Sequence, residues 1–320
     1  MDDEMMNMRY DLICMGMALV DSMIKGFNPE PVSASGYIAA SGSLSVGGEA
    51  VNEAIAAAKL GLKTGIVCAL GGDEAGDMIR SVLSRNGVSI VHAVKAISTP
   101  VTTMFIHADG TRKSITNEAH RENFHPERHL SAFTNARALM LGSLFRAPFD
   151  DPEIIYSVLK TAKASGQIVI ADTKLPNFRR LQPEDLRASL PLIDYITPNE
   201  DEARYYTGKE DPCAMAETLL AWGVQNVIIK LGAKGCLLMT PEKTIRLPGY
   251  AVSAMDATGA GDNFAAGFAS EILRGKTAEE ALRFANACGA ICATAIGAGT
   301  ALKSREQVLQ FMERYEQVAK

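Results

Sequence analysis

Between residues 137 and 230, apolar runs of strand length alternate with helical stretches, and this limits the fold more than any other feature of the chain. The pattern predicts strands at 137–141, 168–172, 193–196 and 226–230. Helices are predicted between and around them at 151–165, 184–190, 200–207 and 212–222. Strands with no polar face need cover on both sides, so the expectation is a mainly parallel α/β sheet with helices on each face. Upstream, residues 10–16 read as a buried first strand and 53–61 as an alanine-rich helix stopped by Gly61. A strand at 64–70 precedes a helix at 74–85, and 101–107 with 112–116 suggest a hairpin. A late β-ribbon at 236–239 and 244–247 leads into helices at 260–274, at 278 to about 294, and after Ser304. No repeat at a period of roughly 20 to 50 residues and no linker is visible. A single domain over 9–315 is therefore expected.

A formal charge of −5 and a pI near 5.7 argue against a general nucleic-acid or anionic-membrane surface. No apolar run approaches the roughly 20 residues of a membrane helix. The acidic start, Met1-Asp2-Asp3-Glu4, lacks the basic flank and apolar core of a signal peptide. Six cysteines without a Cys-x-x-Cys pair read as buried thiols in a reducing cytoplasm.

The chemistry centres on Asp256-Ala257-Thr258-Gly259-Ala260-Gly261-Asp262-Asn263-Phe264. A small-residue turn that opens an apolar helix aims backbone N–H groups at one point, where the helix dipole also favours negative charge. That geometry suits a phosphate or a phosphoryl group in transfer, with Asp262 placed in the first turn to accept a proton. Other phosphate motifs fail. Gly275-Lys276-Thr277 imitates the end of a Walker A loop but has Ser270 in place of the first glycine and follows a helix. Gly259-x-Gly261 has Phe264 where a dinucleotide fingerprint needs its third glycine. The histidines at 120, 125 and 129 straddle Pro126 and read as a solvated loop, and Cys288 with Cys292 reads as packing.

Five motifs in order resemble the ribokinase-like (PfkB) carbohydrate kinases over about residues 10–310. They are Gly47-Gly48-x-x-x-Asn52, Leu70-Gly71-Gly72-Asp73-x-x-Gly76, Asn199-x-x-Glu202, Lys230-Leu231-Gly232-x-x-Gly235, and Asp256 to Asp262. The resemblance implies a three-layer α/β/α sandwich with a small β-sheet lid at about 31–44 and 101–117. It implies ATP-dependent phosphorylation of a sugar hydroxyl. Asp262 would be the general base, and the N–H groups of Gly259, Ala260 and Gly261 the anion hole. Asp21, Gly47, Gly48 and Asn52 would hold the acceptor. Asn199, Glu202, Lys230, Gly232, Gly235 and Asn286 would hold the nucleotide, with Glu202 reaching Mg²⁺ through water. Asp256 and Thr258 correspond to a K⁺ site of some members. Relatives often pair through the lid, which makes a homodimer the expectation.

Ribokinases proper carry a lysine where this chain has Glu49, and a glutamate where it has Gly142-Ser143. The second difference is closer to the fructokinase and 2-keto-3-deoxygluconate kinase branches. An anionic acceptor would want an arginine, for which Arg112 and Arg146 are candidates, and an inward Glu49 would oppose it. A neutral hexose or keto-sugar is therefore expected. The alternatives are a nucleoside kinase of the same family and a non-catalytic sugar-binding regulator on this fold.

Overall fold

The computed structural model describes residues 10–26, 36, 38–96, 98–107, 111–117, 124–176 and 179–318. Strands β1 (Tyr10–Met15), β4 (Thr64–Gly71), β5 (Ser89–Ala96), β8 (Ala136–Leu144), β9 (Ile168–Thr173), β10 (Tyr195–Ile196), β11 (Val227–Lys230), β12 (Cys236–Met239) and β13 (Thr244–Leu247) form one sheet. Its order is β13-β12-β11-β10-β9-β8-β1-β4-β5, parallel from β11 to β5, with the β12–β13 ribbon antiparallel. The helices are α1 (Glu49–Lys59), α2 (Glu74–Arg85), α3 (Pro152–Ala164), α4 (Glu200–Thr207), α5 (Pro212–Ala221), α6 (Ala260–Ile272), α7 (Ala278–Ala293) and α8 (Arg305–Val318).

Both faces of the sheet are covered, as the unbroken apolar strands require. Side chains alternate across a strand, so Leu12 and Cys14 of β1 pack toward α1, α6 and α7, while Ile13 and Met15 pack toward α3 and α5. The result is the predicted sandwich of three layers.

A separate sheet of order β3-β2-β6-β7 combines β2 (Leu19–Lys25), β3 (Ser41–Gly47), β6 (Val101–Ile106) and β7 (Arg112–Thr116). In register, Asp21 pairs with Ser45 and Thr102, and Met23 with Ser43 and Met104. These residues share the face turned to the large sheet. Of the expected lid, residues 31–35, 37 and 108–110 lie outside the described residues, as do His120 and residues 121–123 of the histidine loop.

Several boundaries differ from the expectation. The helix predicted at 184–190 is two short 3₁₀ turns, Pro183–Leu186 and Leu190–Leu192, because Pro183 and Pro191 each restart the backbone. The strand at 193–196 is reduced to Tyr195–Ile196. Strands β2 and β5 were not foreseen, since both are half-buried and carry polar residues within them. The cysteines are free thiols, five of them buried. Burial pushes Cys68, Cys236 and Cys292 up to about 12, so none of these three is a reactive thiolate. Among the described residues no helix is long and apolar enough to cross a membrane.

Candidate active site

The C-terminal ends of the parallel strands open into a cavity of about 600 Å³, roofed by the inner face of the small sheet. Open α/β sheets bind ligands at this edge, because the chain turns there from strand to helix and leaves polar backbone and side chains exposed. Asp262 lies in the first turn of α6 and is 6% exposed. Gly259 caps that helix in the left-handed conformation, with φ 76°. A side chain there would run into Ala298, so glycine is needed both for the turn and for the close approach.

Around this turn the N–H groups of Gly259, Gly261 and Asp262 take no partner among the described residues. The N–H of Ala260 donates to the Ala257 carbonyl at 3.1 Å. Ala260 thus shapes the turn, while Gly259, Gly261 and Asp262 present the free donors. Of the three expected donors, Gly259 and Gly261 are free and Ala260 is engaged, and Asp262 adds a further free N–H.

Asn52, in the first turn of α1, donates from Nδ2 to Asp262 Oδ2 at 2.7 Å. Gly48 precedes α1 with φ 98°, and a side chain on Gly47 would occupy the place of the Asp21 carboxylate. Gly47 therefore makes room for the Asp21 carboxylate from β2, and Asp21, Gly48 and Asn52 line one side of the cavity together.

Burial pushes Asp262 up to about 6; Lys174 and the Asn52 hydrogen bond pull against that, while Glu49 and Asp172 add to it. Burial, with the Glu49 charge beside it, likewise lifts Asp21 to about 6. Both remain ionised at neutral pH.

Glu49 points inward. It receives a 2.6 Å hydrogen bond from Ser143 Oγ and stands 3.1 Å from Lys174 Nζ. Burial would raise its pKa, but Lys174 and Ser143 outweigh burial and bring it down to about 2. Ser143 adopts φ 66°, a conformation uncommon for a side-chain-bearing residue, and its hydroxyl reaches Glu49 from there. Arg146 lines the same cavity and donates to the Leu175 carbonyl. The Arg112 side chain lies outside what is described.

On the opposite wall Asn199 and Glu202 form a capping box at the start of α4. Glu202 is 4% exposed, and its Oε2 accepts from Thr173 Oγ1 at 2.8 Å and from the Asn199 N–H at 3.0 Å. Its Oε1 takes no part in these bonds. Lys230, at the end of β11, stands 2.7 Å from Asp172 Oδ1, which also accepts from Thr197 Oγ1. The Lys230 ammonium lies next to Gly261, about 3.1 Å from where a side chain would begin. Positive charge is thus set directly beside the free N–H groups.

An adjoining cavity of about 570 Å³ shares Lys230, Gly232, Ala257 and Gly261 with the first. Gly232 and Gly235 adopt φ 57° and 96° at its edge. Asn286 lines it too and is 8% exposed, so it is not the solvated helix residue it could have been. Its Nδ2 contacts Pro248 O and Cys236 Sγ. Asp256 and Thr258 lie beside the turn, where Asp256 accepts from Thr258 N, Thr258 Oγ1 and Gly297 N.

Three residues of this region escaped the sequence reading: Asp172, Lys174 and Glu53. The first two stand at or just beyond the end of β9, a position that a strand prediction alone marks. Glu53 of α1 is fully buried with neither carboxylate oxygen partnered among the described residues, and burial holds its pKa well above the usual range. The bare Gly142 leaves space for it.

Comparison with known proteins gives one consistent result. Residues 17–305 match the model of the pfkB family carbohydrate kinases. A ribokinase of Haemophilus influenzae is 30% identical over 279 residues, covering 84% of this chain and 88% of that protein. Fructokinase-1 of Oryza sativa is also 30% identical, over 286 residues, covering 83% and 88%. Overall identity therefore does not favour one branch over the other. The structure of Arabidopsis thaliana ribokinase complexed with ribose and ATP superposes with a TM-score of 0.81 at 28% identity, covering 96% of this chain and 99% of that one.

Proposed function

The chain belongs to the pfkB family of carbohydrate kinases and phosphorylates a sugar hydroxyl with ATP; from that premise we propose that Asp262 is the general base and that the acceptor is a neutral hexose or keto-sugar. The observation that carries this reading is Asp262, ionised at neutral pH, held by Asn52 at the helix start where three N–H groups are free.

In this reading Asp21, Gly48 and Asn52 hold the acceptor so that one hydroxyl faces Asp262. Asp262 removes its proton as the oxygen attacks the γ-phosphorus. A base with pKa near 6 suits that task at neutral pH, being ionised yet basic enough to accept a proton. The free N–H groups of Gly259, Gly261 and Asp262, with Lys230 beside them, take up the charge on the transferring phosphoryl oxygens. The cavity edged by Gly232, Gly235 and Asn286 holds the nucleotide.

Asn199 and Glu202 are the proposed Mg²⁺ side. The donor set fits, because Glu202 Oε1 is not used in the capping box and can accept from a water of a hydrated cation. Bound Mg²⁺ supplies charge neutralisation on the nucleotide phosphates. For K⁺ at Asp256 and Thr258 we propose a modulating role only. Asp256 already accepts three hydrogen bonds from the chain, which hold the loop by themselves. Loss of all activity in potassium-free buffer would contradict this.

Support for a neutral acceptor comes from Glu49. Its charge is matched by Lys174 and its geometry fixed by Ser143, so the pair offers sugar hydroxyls one acceptor and one donor with no net charge. A homodimer through the lid is supported by Leu44 and Ile115, 63% and 68% exposed on the face turned away from the cavity. An acceptor panel read by ADP release tests the function. Transfer to sugar acids in preference to neutral sugars would overturn the acceptor assignment.

A further inference from the structure

A wall of the cavity edged by Gly232, Gly235 and Asn286 has no regular secondary structure. The segment from Gly249 to Ala254 leads out of β13 toward Asp256, and Gly249, Tyr250, Ala251, Val252 and Ala254 line the cavity. Its two ends are fastened to α7. Asn286 Nδ2 contacts the Pro248 carbonyl at 3.3 Å, and the N–H groups of Met255 and Asp256 donate to the Ala293 carbonyl at 2.8 and 3.3 Å. Gly249 also lies close against the Ala233 backbone, since a side chain there would begin 2.5 Å from the Ala233 carbonyl oxygen.

The middle of the segment is held from a different element. The Ala251 N–H donates to the Tyr315 hydroxyl of α8 at 2.8 Å, across 64 residues of sequence. The Tyr250 ring meets Tyr315 and Phe311 edge-on, with centroids 4.9 and 5.3 Å apart. Phe311 and Tyr315 stand one turn apart on the same face of α8, so both reach that ring. Yet no described residue of α8 lines this cavity or the catalytic one. A backbone held only at its ends keeps freedom at its middle, and a ligand that settles against it loses affinity in ordering it. A hydroxyl and two rings fixed on a helix remove that freedom beforehand.

Resting on the assignment of this cavity to the nucleotide, we infer that Tyr315 is a positioning residue for ATP. Its hydroxyl fixes the wall at Ala251 before the nucleotide arrives, and its ring, with Phe311, fixes Tyr250. The last helix thereby sets the affinity for the phosphate donor without touching it. Asp21, Asn52 and Asp262 do not line this cavity, so the effect falls on the nucleotide and leaves the acceptor and the chemical step alone. ATP and ADP meet the same wall and share the effect.

The test is Tyr315→Phe, which removes the hydroxyl and keeps the ring. One neutral hydrogen bond corresponds to about 3- to 10-fold in a binding constant, so calorimetry should find Mg-ATP and Mg-ADP bound that much more weakly. KM for ATP should rise by the same factor, with kcat at saturating ATP and the acceptor KM unchanged. Val308→Ala is the control. Val308 is buried beneath the same helix two turns away, so this variant should lower Tm and keep nucleotide affinity. Unchanged affinity in Tyr315→Phe, or an equal loss in Val308→Ala, would overturn the proposal. Ala290→Trp, which fills the cavity, tests the assignment beneath it and should abolish nucleotide binding; Ala254→Trp serves if that variant does not fold. Binding that survives the filled cavity would place the nucleotide elsewhere and remove both the assignment and the role of Tyr315. Binding lost there but intact in Tyr315→Phe removes only the latter. Calorimetry needs no acceptor, so a wrongly assigned sugar does not affect the result.

Discussion

Asn52 donates a 2.7 Å hydrogen bond to Asp262 across 210 residues of sequence, tying the first turn of α1 to the first turn of α6. The bond joins the acceptor side of the cavity to the proposed base and fixes which oxygen of Asp262 stays available. A hydrogen bond to a charged group is worth about 1.5–3 kcal/mol, which corresponds to roughly 10- to 100-fold in rate. Asn52→Ala should therefore lower kcat by that factor while ATP binding, measured by calorimetry, holds. Asp262→Asn should lower it further, by about 10²–10⁴. Unchanged turnover in Asp262→Asn would remove this residue from the mechanism.

The raised pKa of Asp262 predicts an acid limb. Activity needs the carboxylate, so kcat/KM should fall as pH drops through about 6, with Asp21 titrating in the same range. Stability has the opposite sign. A carboxyl raised from 3.8 to about 6 by folding contributes stability that is full below about 4 and lost as pH rises through 6. The ionised Asp262 thus costs the fold about 2–3 kcal/mol at neutral pH. Asp262→Asn should be the more stable protein at pH 7 by up to that amount, and denaturation midpoints should converge toward pH 4. A gap that stays constant with pH would contradict the burial argument.

Lys174 and Glu49 should behave as one unit. Lys174→Met leaves a mostly buried Glu49 without its cation, and Glu49→Gln leaves Lys174 without its anion; both should raise the acceptor KM. The double variant removes both charges, so its loss should be smaller than the sum, with a coupling of about 1–2 kcal/mol. Lys174→Met should also move the acid limb upward, because Lys174 opposes the protonation of Asp262. Additive losses with an unmoved limb would reduce the pair to packing.

These pairs mark where sequence reading stops. Asp262 and Gly259 were legible because a small-residue turn before an apolar helix restricts both backbone and chemistry within a few positions. Asn199 and Glu202 were legible for the same reason, as a local capping box. Lys174 was not, since its partner Glu49 lies on α1, and nothing local in Asp172-Thr173-Lys174 implies that contact. Glu49 itself was read as a possible obstacle to an anionic acceptor. It does point inward, but its charge is matched by a lysine that only the strand order brings near. Likewise the lid was seen at the 101–117 hairpin, whose turn is local, while β2 was missed because its role depends on pairing with β6 some 80 residues away.

Gly259 offers the sharpest test of the turn itself. Its φ of 76° is strained for alanine, and the added methyl would meet Ala298 across the turn. Gly259→Ala should lose about 1–3 kcal/mol of stability through this strain. If the turn is the anion hole, displacing its donors should also lower kcat by about 10²–10³, much as removing a single oxyanion donor does in other enzymes. The acceptor KM should change little, because Asp21, Gly48 and Asn52 stand on β2 and α1. Gly275→Ala is the control, since Gly275 also has a left-handed φ of 77° but no neighbour near its added methyl. It should lose stability and keep kcat. Equal effects on kcat from the two substitutions would mean that strain alone, and not the placement of the N–H groups, accounts for the loss.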